Sequence, residues 1–324
     1  MMVVALGALA ACGLNVLATG DRPDPDAGSD ATTTDAAGRD APGDAPSGDG
    51  SQIVLPPVPD PFLDAGLDAN QANCLAGCDG GTCDAGWCVL DCATAGTCTN
   101  DRVVCPPGIP CEVDCKGQGS CAQGVDCTAA SACRIDCSGL GSCINQPVEC
   151  SGLACKIDCL GNGSCTKGVS CDAGTCAIAC LGDGTCTNAP VTCNANTCTV
   201  RCGVAGDVGK DSCSKGVTCD TTQLCDIGCV AHNVCKNEPI AARSDGTSIV
   251  QCTGQTSCNK NVVLGGAEAG VLCSGSGSCA DKAFCDAGKC AATCVNENIT
   301  LCCKNGVVCD RTKKNCQIDS MGCP

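Results

Sequence analysis

Residues 135–155 read Ile-Asp-Cys-Ser-Gly-Leu-Gly-Ser-Cys-Ile-Asn-Gln-Pro-Val-Glu-Cys-Ser-Gly-Leu-Ala-Cys, and this pattern decides the fold. Variants of it recur along the chain, and the first cysteine of successive copies lies at positions 92, 115, 137, 159, 180 and 202. Self-similarity sustained at a period of about 22 residues is typical of a solenoid, in which each copy stacks on the preceding one. The stretch therefore predicts a repetitive, stacked architecture.

The composition agrees with this prediction. The 324 residues include 43 cysteines and 42 glycines but no tyrosine, one tryptophan and two phenylalanines. A chain so poor in large side chains cannot build a thick core, and such a cysteine content is typical of a disulfide scaffold in an oxidising compartment. The net charge of −16 disfavours nucleic acid as a partner, because nucleic-acid-binding surfaces are basic.

The residues around the cysteines predict strands and corners. We label the four cysteines of a copy a, b, c and d, as in Cys137, Cys143, Cys150 and Cys155. Every a and c cysteine from position 92 to position 273 follows a Val, Ile or Leu by two residues, a spacing that puts both side chains on one face of a strand. Between a and b, glycines such as Gly161 are expected to supply the positive φ of a sharp corner.

The predicted fold is therefore all-β, a disulfide-rich parallel β-helix with about 22 residues per repeat. Counting a-type positions from Cys74 to Cys294 gives eleven turns. The sequence leaves open whether one repeat forms one wide turn or two narrow turns.

The cysteine pairing follows from the copies that begin at Cys229 and Cys252, both of which lack c and d. Pairing of a with b and of c with d is the simplest scheme that leaves no cysteine without a partner there, although the sequence does not settle the exact connectivity. The predicted disulfides are Cys92-Cys98, Cys105-Cys111, Cys115-Cys121, Cys127-Cys133, Cys137-Cys143, Cys150-Cys155, Cys159-Cys165, Cys171-Cys176, Cys180-Cys186 and Cys193-Cys198, with Cys302-Cys323 as a terminal pair.

Residues 1–20 are the longest apolar run and contain Leu9-Ala10-Ala11-Cys12-Gly13. This segment resembles the cleavage box of bacterial lipoproteins. The resemblance implies a signal peptide, lipidation of Cys12, a membrane attached through that lipid, and a location in the cell envelope, at the outer membrane or cell surface. Without Cys12, an even number of cysteines remains for disulfides. Ordinary secretion and an uncleaved apolar helix are the alternatives.

Two segments are expected between this leader and the repeats. Residues 21–52 form a disordered acidic tether, with eight aspartates against two arginines among Ala, Pro, Gly, Ser and Thr. Residues 53–73 form an N-terminal cap, in which Asp60 and Pro61 start a short helix and Phe62, Leu63 and Leu67 cover the open end of the solenoid. Residues 74–324 are the cysteine-rich repeat domain.

One group of charged residues is a candidate ligand site. Asp114, Asp136 and Asp158 share one register, so they should stack on the outside of the solenoid. Arg134 and Lys156 precede two of them by two residues, which predicts a ladder of salt bridges. The alternative is a groove that binds or cleaves polysaccharide, with Ca²⁺ as its one candidate cofactor, by analogy with other β-helices.

Two further alternatives come from the cysteines and threonines. A metal-storing protein is disfavoured, because no Cys-x2-Cys spacing occurs and His232 is the only histidine. Triplets such as Thr185-Cys186-Thr187 resemble those of beetle antifreeze proteins, which are disulfide-bonded β-helices. That family uses an unbroken threonine ladder, whereas Cys121 and Cys143 are followed by Ala and Ile.

The expectation for function is a non-enzymatic, lipid-anchored surface protein. Its repeats would form a rigid rod for adhesion or envelope structure, with a surface polysaccharide or another cell-surface protein as partner. No resident cofactor is expected.

Overall fold

A computed structural model describes residues 60–62, 71–205, 208–279, 281–294, 299–303, 308–311 and 316–319. The chain divides into residues 1–50 and 51–324, and all described residues belong to the second unit. The leader with Cys12, the tether at 21–52, most of the predicted cap at 53–73, and Cys323 of the pair Cys302-Cys323 lie outside the described residues.

The described chain is all-β apart from one short helix, as predicted. The elements are α1 (Gln71–Gly77), β1 (Thr82–Asp84), β2 (Trp87–Asp91), β3 (Val103–Val104), β4 (Pro110–Asp114), β5 (Val125–Cys127), β6 (Ala132–Asp136), β7 (Val148–Cys159), β8 (Val169–Cys180), β9 (Val191–Cys202), β10 (Val217–Cys229), β11 (Ile240–Ser244), β12 (Thr247–Cys252), β13 (Val262–Cys273), β14 (Lys282–Cys294), β15 (Ile299–Cys303), β16 (Val308–Arg311) and β17 (Cys316–Asp319). Within these described segments, no helix is long and apolar enough to cross a membrane.

The strands form a parallel solenoid in which one repeat is one wide turn. Val148 pairs with Val169, which pairs with Val191, and Ile157 pairs in the same way with Ile178 and Val200. Each residue thus lies beside its equivalent one full repeat later. Two narrow turns per repeat would require pairing at half this separation, so the register decides the question that the sequence left open.

The solenoid has about nine turns, so the count of eleven was wrong. One reason is that Cys74 lies in α1 and bonds Cys83 in the antiparallel hairpin of β1 and β2. A second disulfide joins Cys78 to Cys88. The chain therefore begins with a disulfide-bonded helix and hairpin, and parallel stacking starts when β2 pairs with β4.

Each central turn consists of one bent strand and one glycine-rich corner. β7 runs without a break from Val148 to Cys159 and bends near Gly152, whose φ of 122° is accessible mainly to glycine. Along both halves of the strand the inward side chains are fully buried, and the outward ones are partly or fully exposed. The strand thus supplies two sides of the turn, and residues 160–167 close it.

The interior is filled by disulfides and β-branched aliphatic side chains. Every cysteine from Cys74 to Cys290 is bonded, and the ten pairs predicted between Cys92 and Cys198 are present. The largest fully buried side chains include Ile135, Ile157 and Ile178. A core of small groups suits the short distance across each turn.

The two copies that lack c and d replace the disulfide by other buried groups. Ala242 and Ser248 occupy the c and d positions of one copy, and Leu264 and Ala269 occupy those of the next. All four are at most 5% exposed, and the Ser248 hydroxyl donates a 2.6 Å hydrogen bond to the Gly265 carbonyl oxygen. Packing therefore continues through these turns without sulfur.

The corner glycines have two different functions, and the expectation for Gly161 was wrong. The second glycine, Gly163, has the expected positive φ of 67°, and Cys165 after it is also left-handed at 49°. Gly161 does not have a positive φ. A methyl group there would instead overlap the carbonyl group of Gly139 in the preceding turn. The first glycine is needed because successive corners are in backbone-to-backbone contact.

Candidate functional site

The acidic ladder, Asp114, Asp136 and Asp158, lies on the outer face of the solenoid as predicted. The three residues pair in register across β4, β6 and β7. Each follows an inward Val or Ile, so strand alternation turns its carboxylate outward. All three are half-buried.

Two lysines form salt bridges with this ladder. Lys116 Nζ lies 2.8 Å from an Asp114 carboxylate oxygen and 3.7 Å from one of Asp136, and Lys156 Nζ lies 3.5 Å from Asp158. The hydrogen bond to Asp114 is the main reason that the pKa of Lys116 is raised, while partial burial opposes it. Lys116 belongs to the corner after β4, so it was not predicted as a ladder residue.

Arg134 does not pair with Asp136, and this part of the predicted ladder was wrong. Its guanidinium lies 3.9 Å from the Asp60 carboxylate and stacks over two aromatic rings, 4.4 Å from the Phe62 centroid and 4.6 Å from the Trp87 centroid. The rings themselves meet edge to face at 5.1 Å. Cation–π and aromatic contacts of this kind together favour one fixed position for the guanidinium.

The same contacts place residues 60–62 on the flank of the solenoid. The Asp60 carboxylate accepts a 3.0 Å hydrogen bond from the Phe62 amide, which stabilises a turn there. Phe62 was expected to cover the open end, but it packs on the outer face formed by β2 and β6. Residues 63–70, including Leu63 and Leu67, lie outside the described residues.

Asp158 has the most perturbed environment of the ladder. Burial raises the pKa of its carboxyl, Lys156 opposes this shift, and the negative charges of Asp136 and Asp60 add to it. A carboxyl group with a raised pKa is one mark of a catalytic acid. Here the carboxylate is within salt-bridge distance of Lys156.

This arrangement is poorly suited to binding Ca²⁺ or cleaving a glycosidic bond. Calcium takes six to eight oxygen ligands, and a glycosidase needs two carboxyl groups that face one sugar. The ladder carboxylates are already within salt-bridge distance of lysines. The cleft of about 390 Å³ near the first turn is lined by Leu90, Asp91, Arg102 and neighbouring residues, and does not include the ladder.

Two arginines that are at least partly buried, Arg102 and Arg201, form further ion pairs that were not predicted. Arg102 contacts Asp126 at 3.4 Å and Glu149 at 2.7 Å, which connects three turns on the first half of the strands. Hydrogen bonds from Thr128 lower the pKa of Asp126, and Arg102 contributes to the same shift. The signal in the sequence was that Asp126 and Glu149 directly precede c cysteines and that Arg102 lies three residues before the c cysteine of the preceding copy.

The second unpredicted pair is Arg201 with Asp226. The Arg201 guanidinium lies 2.5 Å from the Asp226 carboxylate and donates a 3.1 Å hydrogen bond to the Asp226 backbone carbonyl oxygen. The Arg201 side chain is only 6% exposed. Arg201 occupies an outward position in register with Ala179 and Gly228. Sequence spacing alone does not indicate that an outward arginine on a narrow solenoid is buried.

The sulfur atoms form several close clusters, for example Cys105 with Cys127 and Cys133. All of these cysteines are in disulfides, so none offers the thiolate that a metal requires.

Comparison of the chain with protein-family models, with curated proteins and with solved structures finds no match.

Proposed function

We propose that the chain is a non-enzymatic, lipid-anchored protein of the bacterial cell surface, and that its solenoid serves as a rigid body for adhesion or envelope structure. The observation that carries this proposal is the continuous bonding of cysteines from Cys74 to Cys290, each to a partner nearby in sequence. Each disulfide closing a loop of six residues contributes about 2 kcal/mol through the unfolded chain. Such a body needs no large core and resists proteolysis outside the cell.

The location rests on the leader and the oxidising chemistry. Cys12 stands in the lipoprotein-like segment, and residues 21–52 supply an acidic spacer between the lipid and the solenoid. Extensive disulfides are typical of proteins exposed outside the cytosol. Together these features support a protein held away from the membrane by an acidic spacer.

The charged surface supports a structural function over catalysis. The ladder carboxylates pair with Lys116 and Lys156, and Arg134 holds the 60–62 turn. Charges paired in this way stabilise the outer face and leave little affinity for a polysaccharide substrate. The bonded sulfurs likewise support structure over metal storage.

The proposal is tested in a Gram-negative host grown with an alkyne-labelled fatty acid. The wild-type protein should carry label, sediment with membranes, and be digested by protease added to intact cells. Cys12→Ser should remove the label and release the protein, whereas Thr19→Ser, an equally mild change in the same leader, should not. Label-free wild-type protein, or a Cys12→Ser protein that remains in membranes, would refute the lipid anchor.

The non-enzymatic part of the proposal needs a separate test. Soluble solenoid should neither bind nor cleave acidic or neutral polysaccharides, with or without Ca²⁺, in a glycan array and a reducing-sugar assay. Calcium-dependent binding that Asp136→Asn abolishes would favour the polysaccharide alternative.

A further inference from the structure

Four exposed lysines differ from the cations already described, which lie in salt bridges. Within the described part of the chain, their ammonium groups have neither a salt bridge nor a hydrogen bond. We call this set the lysine edge, and its members are Lys167, Lys215, Lys260 and Lys282. Their charge is therefore available to a partner.

The lysine edge is one straight row along the solenoid. Each lysine stands one or two residues before the first inward residue of β8, β10, β13 or β14. These inward residues pair in register through the intervening strands β9 and β11. Successive lysines are thus two, two and one turns apart. At about 4.8 Å per turn, the row is roughly 24 Å long and parallel to the direction of stacking.

Tight turns fix the backbone of the first two lysines. The Gly168 amide donates a 2.9 Å hydrogen bond to the Cys165 carbonyl oxygen, and the Gly216 amide donates one of 3.0 Å to Cys213. Both cysteines are in disulfides. In each turn the lysine stands between the cysteine and the glycine, so its backbone is held while its side chain reaches solvent.

The lysine edge is positive although the chain is acidic. Residues 51–324 contain 17 basic and 27 acidic side chains, so their net charge is −10. Two acidic residues, Glu238 and Asp281, lie in register among the four lysines, so the edge has a net charge of +2. At physiological ionic strength, charges beyond a Debye length of about 8 Å are largely screened. A surface in contact with the edge therefore meets mainly the charge of the edge itself.

We propose that the lysine edge docks on a lipid surface that carries anionic phosphate head groups. The lysines stand at corners between strands, where one flat surface can reach all four. An ammonium is a compact charge on a flexible stem, and it needs no fixed arrangement of phosphates. Arginine is more typical of a site with fixed anion geometry. The arginines between positions 102 and 243 are all paired within the protein, namely Arg102, Arg134, Arg201 and Arg243.

This contact lays the solenoid lengthwise along the lipid surface, because the row is parallel to the direction of stacking. It rests on the proposed adhesive function and deepens it by naming the kind of surface that is bound. Each lysine near an anionic membrane strengthens binding by about fivefold. The contact itself does not require the lipid on Cys12.

Vesicle sedimentation tests the contact on the full chain with Cys12→Ser, which cannot be lipidated there. In about 0.15 M salt this protein should sediment with phosphatidylglycerol vesicles but not with phosphatidylcholine vesicles, and about 1 M salt should release it. Lys215→Gln should weaken the binding by about fivefold. Glu238→Gln combined with Asp281→Asn should strengthen it by about tenfold or more, because two negative charges are removed from the edge.

Lys289→Gln is the matched control. It removes the same charge from the other half of β14, where Lys289 is 69% exposed and pairs with Glu268 at 3.2 Å. Binding to phosphatidylglycerol vesicles should not change. Circular dichroism and the intact disulfide mass establish that the variants fold.

Several results would overturn the proposal. One is the absence of binding to phosphatidylglycerol vesicles, and another is an equal loss from Lys215→Gln and Lys289→Gln. Equal binding to both kinds of vesicle would assign the contact to the apolar leader. Displacement of the vesicles by an acidic polysaccharide that binds the same edge more tightly would assign the edge to that polymer.

The lipid anchor can fail separately from the lysine edge. Wild-type protein without fatty-acid label, together with vesicle binding that Lys215→Gln weakens, would refute the anchor and support the edge. Labelled wild-type protein whose Cys12→Ser form ignores phosphatidylglycerol vesicles would support the anchor and overturn the edge.

Discussion

Replacing Gly161 by alanine should strongly destabilise the solenoid, although alanine normally loses less backbone entropy on folding than glycine does. The added Cβ would lie 2.5 Å from the carbonyl carbon of Gly139 and 2.7 Å from the carbonyl oxygen of Ser138. Non-bonded carbon atoms prefer about 3.5 Å or more, so the two corners would have to separate by about 1 Å.

The corner cannot separate easily. The Gly161 amide donates a 3.2 Å hydrogen bond to the Cys137 carbonyl oxygen, and the disulfide of Cys159 with Cys165 closes the same loop. Overpacking of a well-packed site costs about 1–3 kcal/mol and more where backbone must move. We therefore expect a loss near 3 kcal/mol. For a domain of this size that lowers the melting temperature by about 6–12 °C.

Gly270→Ala is the matched control. An added Cβ at Gly270 meets no atom within 4 Å, and its φ is not positive, so alanine should be neutral or slightly stabilising. Melting is followed by circular dichroism with the disulfides intact. Equal melting temperatures for the two variants would refute the close approach of successive corners as the reason for the first glycine.

The remaining predictions concern a disulfide and a carboxyl group. In a protein that also carries Cys159→Ala, the variant Cys165→Gly should be more stable than Cys165→Ala by about 1 kcal/mol. The reason is that position 165 has a φ of 49°, which glycine adopts more easily than alanine. Chemical denaturation measures the difference, and equal denaturation midpoints would contradict it. The raised pKa of Asp158 means that the folded state holds this proton more tightly, so its contribution to stability is present at low pH and is lost as pH rises above the ordinary range for Asp. From about pH 4 to about pH 7 the melting temperature of Asp158→Asn should therefore rise relative to wild type; parallel curves for the two proteins would contradict the effect of burial.

Much of the fold could be predicted from local spacing. An aliphatic residue two positions before a cysteine predicts an inward pair on a strand, and this is how Ile157 and Cys159 lie. The absence of c and d together in two copies indicated the pairing that the solenoid shows between Cys92 and Cys198. These features depend on residues close in sequence, so a single chain displays them.

The candidate site could be predicted only in part. The register of Asp114, Asp136 and Asp158 follows from the repeat, because equal positions in successive copies must stack. The partners of these carboxylates do not follow from it. Lys116 reaches the ladder from a corner, and Arg134 turns to Asp60, far away in sequence. Which cation meets which carboxylate depends on how the corners and the 60–62 turn fold back.

The sequence by itself determined the period, the strand positions, the disulfide pairing and the need for glycine at the corners, because each is a property of one repeat. Only the tertiary structure decided that a repeat makes one turn, that Gly161 is required by its neighbour Gly139, and that the outward residues Ala177 and Ala179 are buried. These depend on contacts between turns or between distant segments. Spacing along one repeat specifies which way a side chain points, and stacking specifies what it meets.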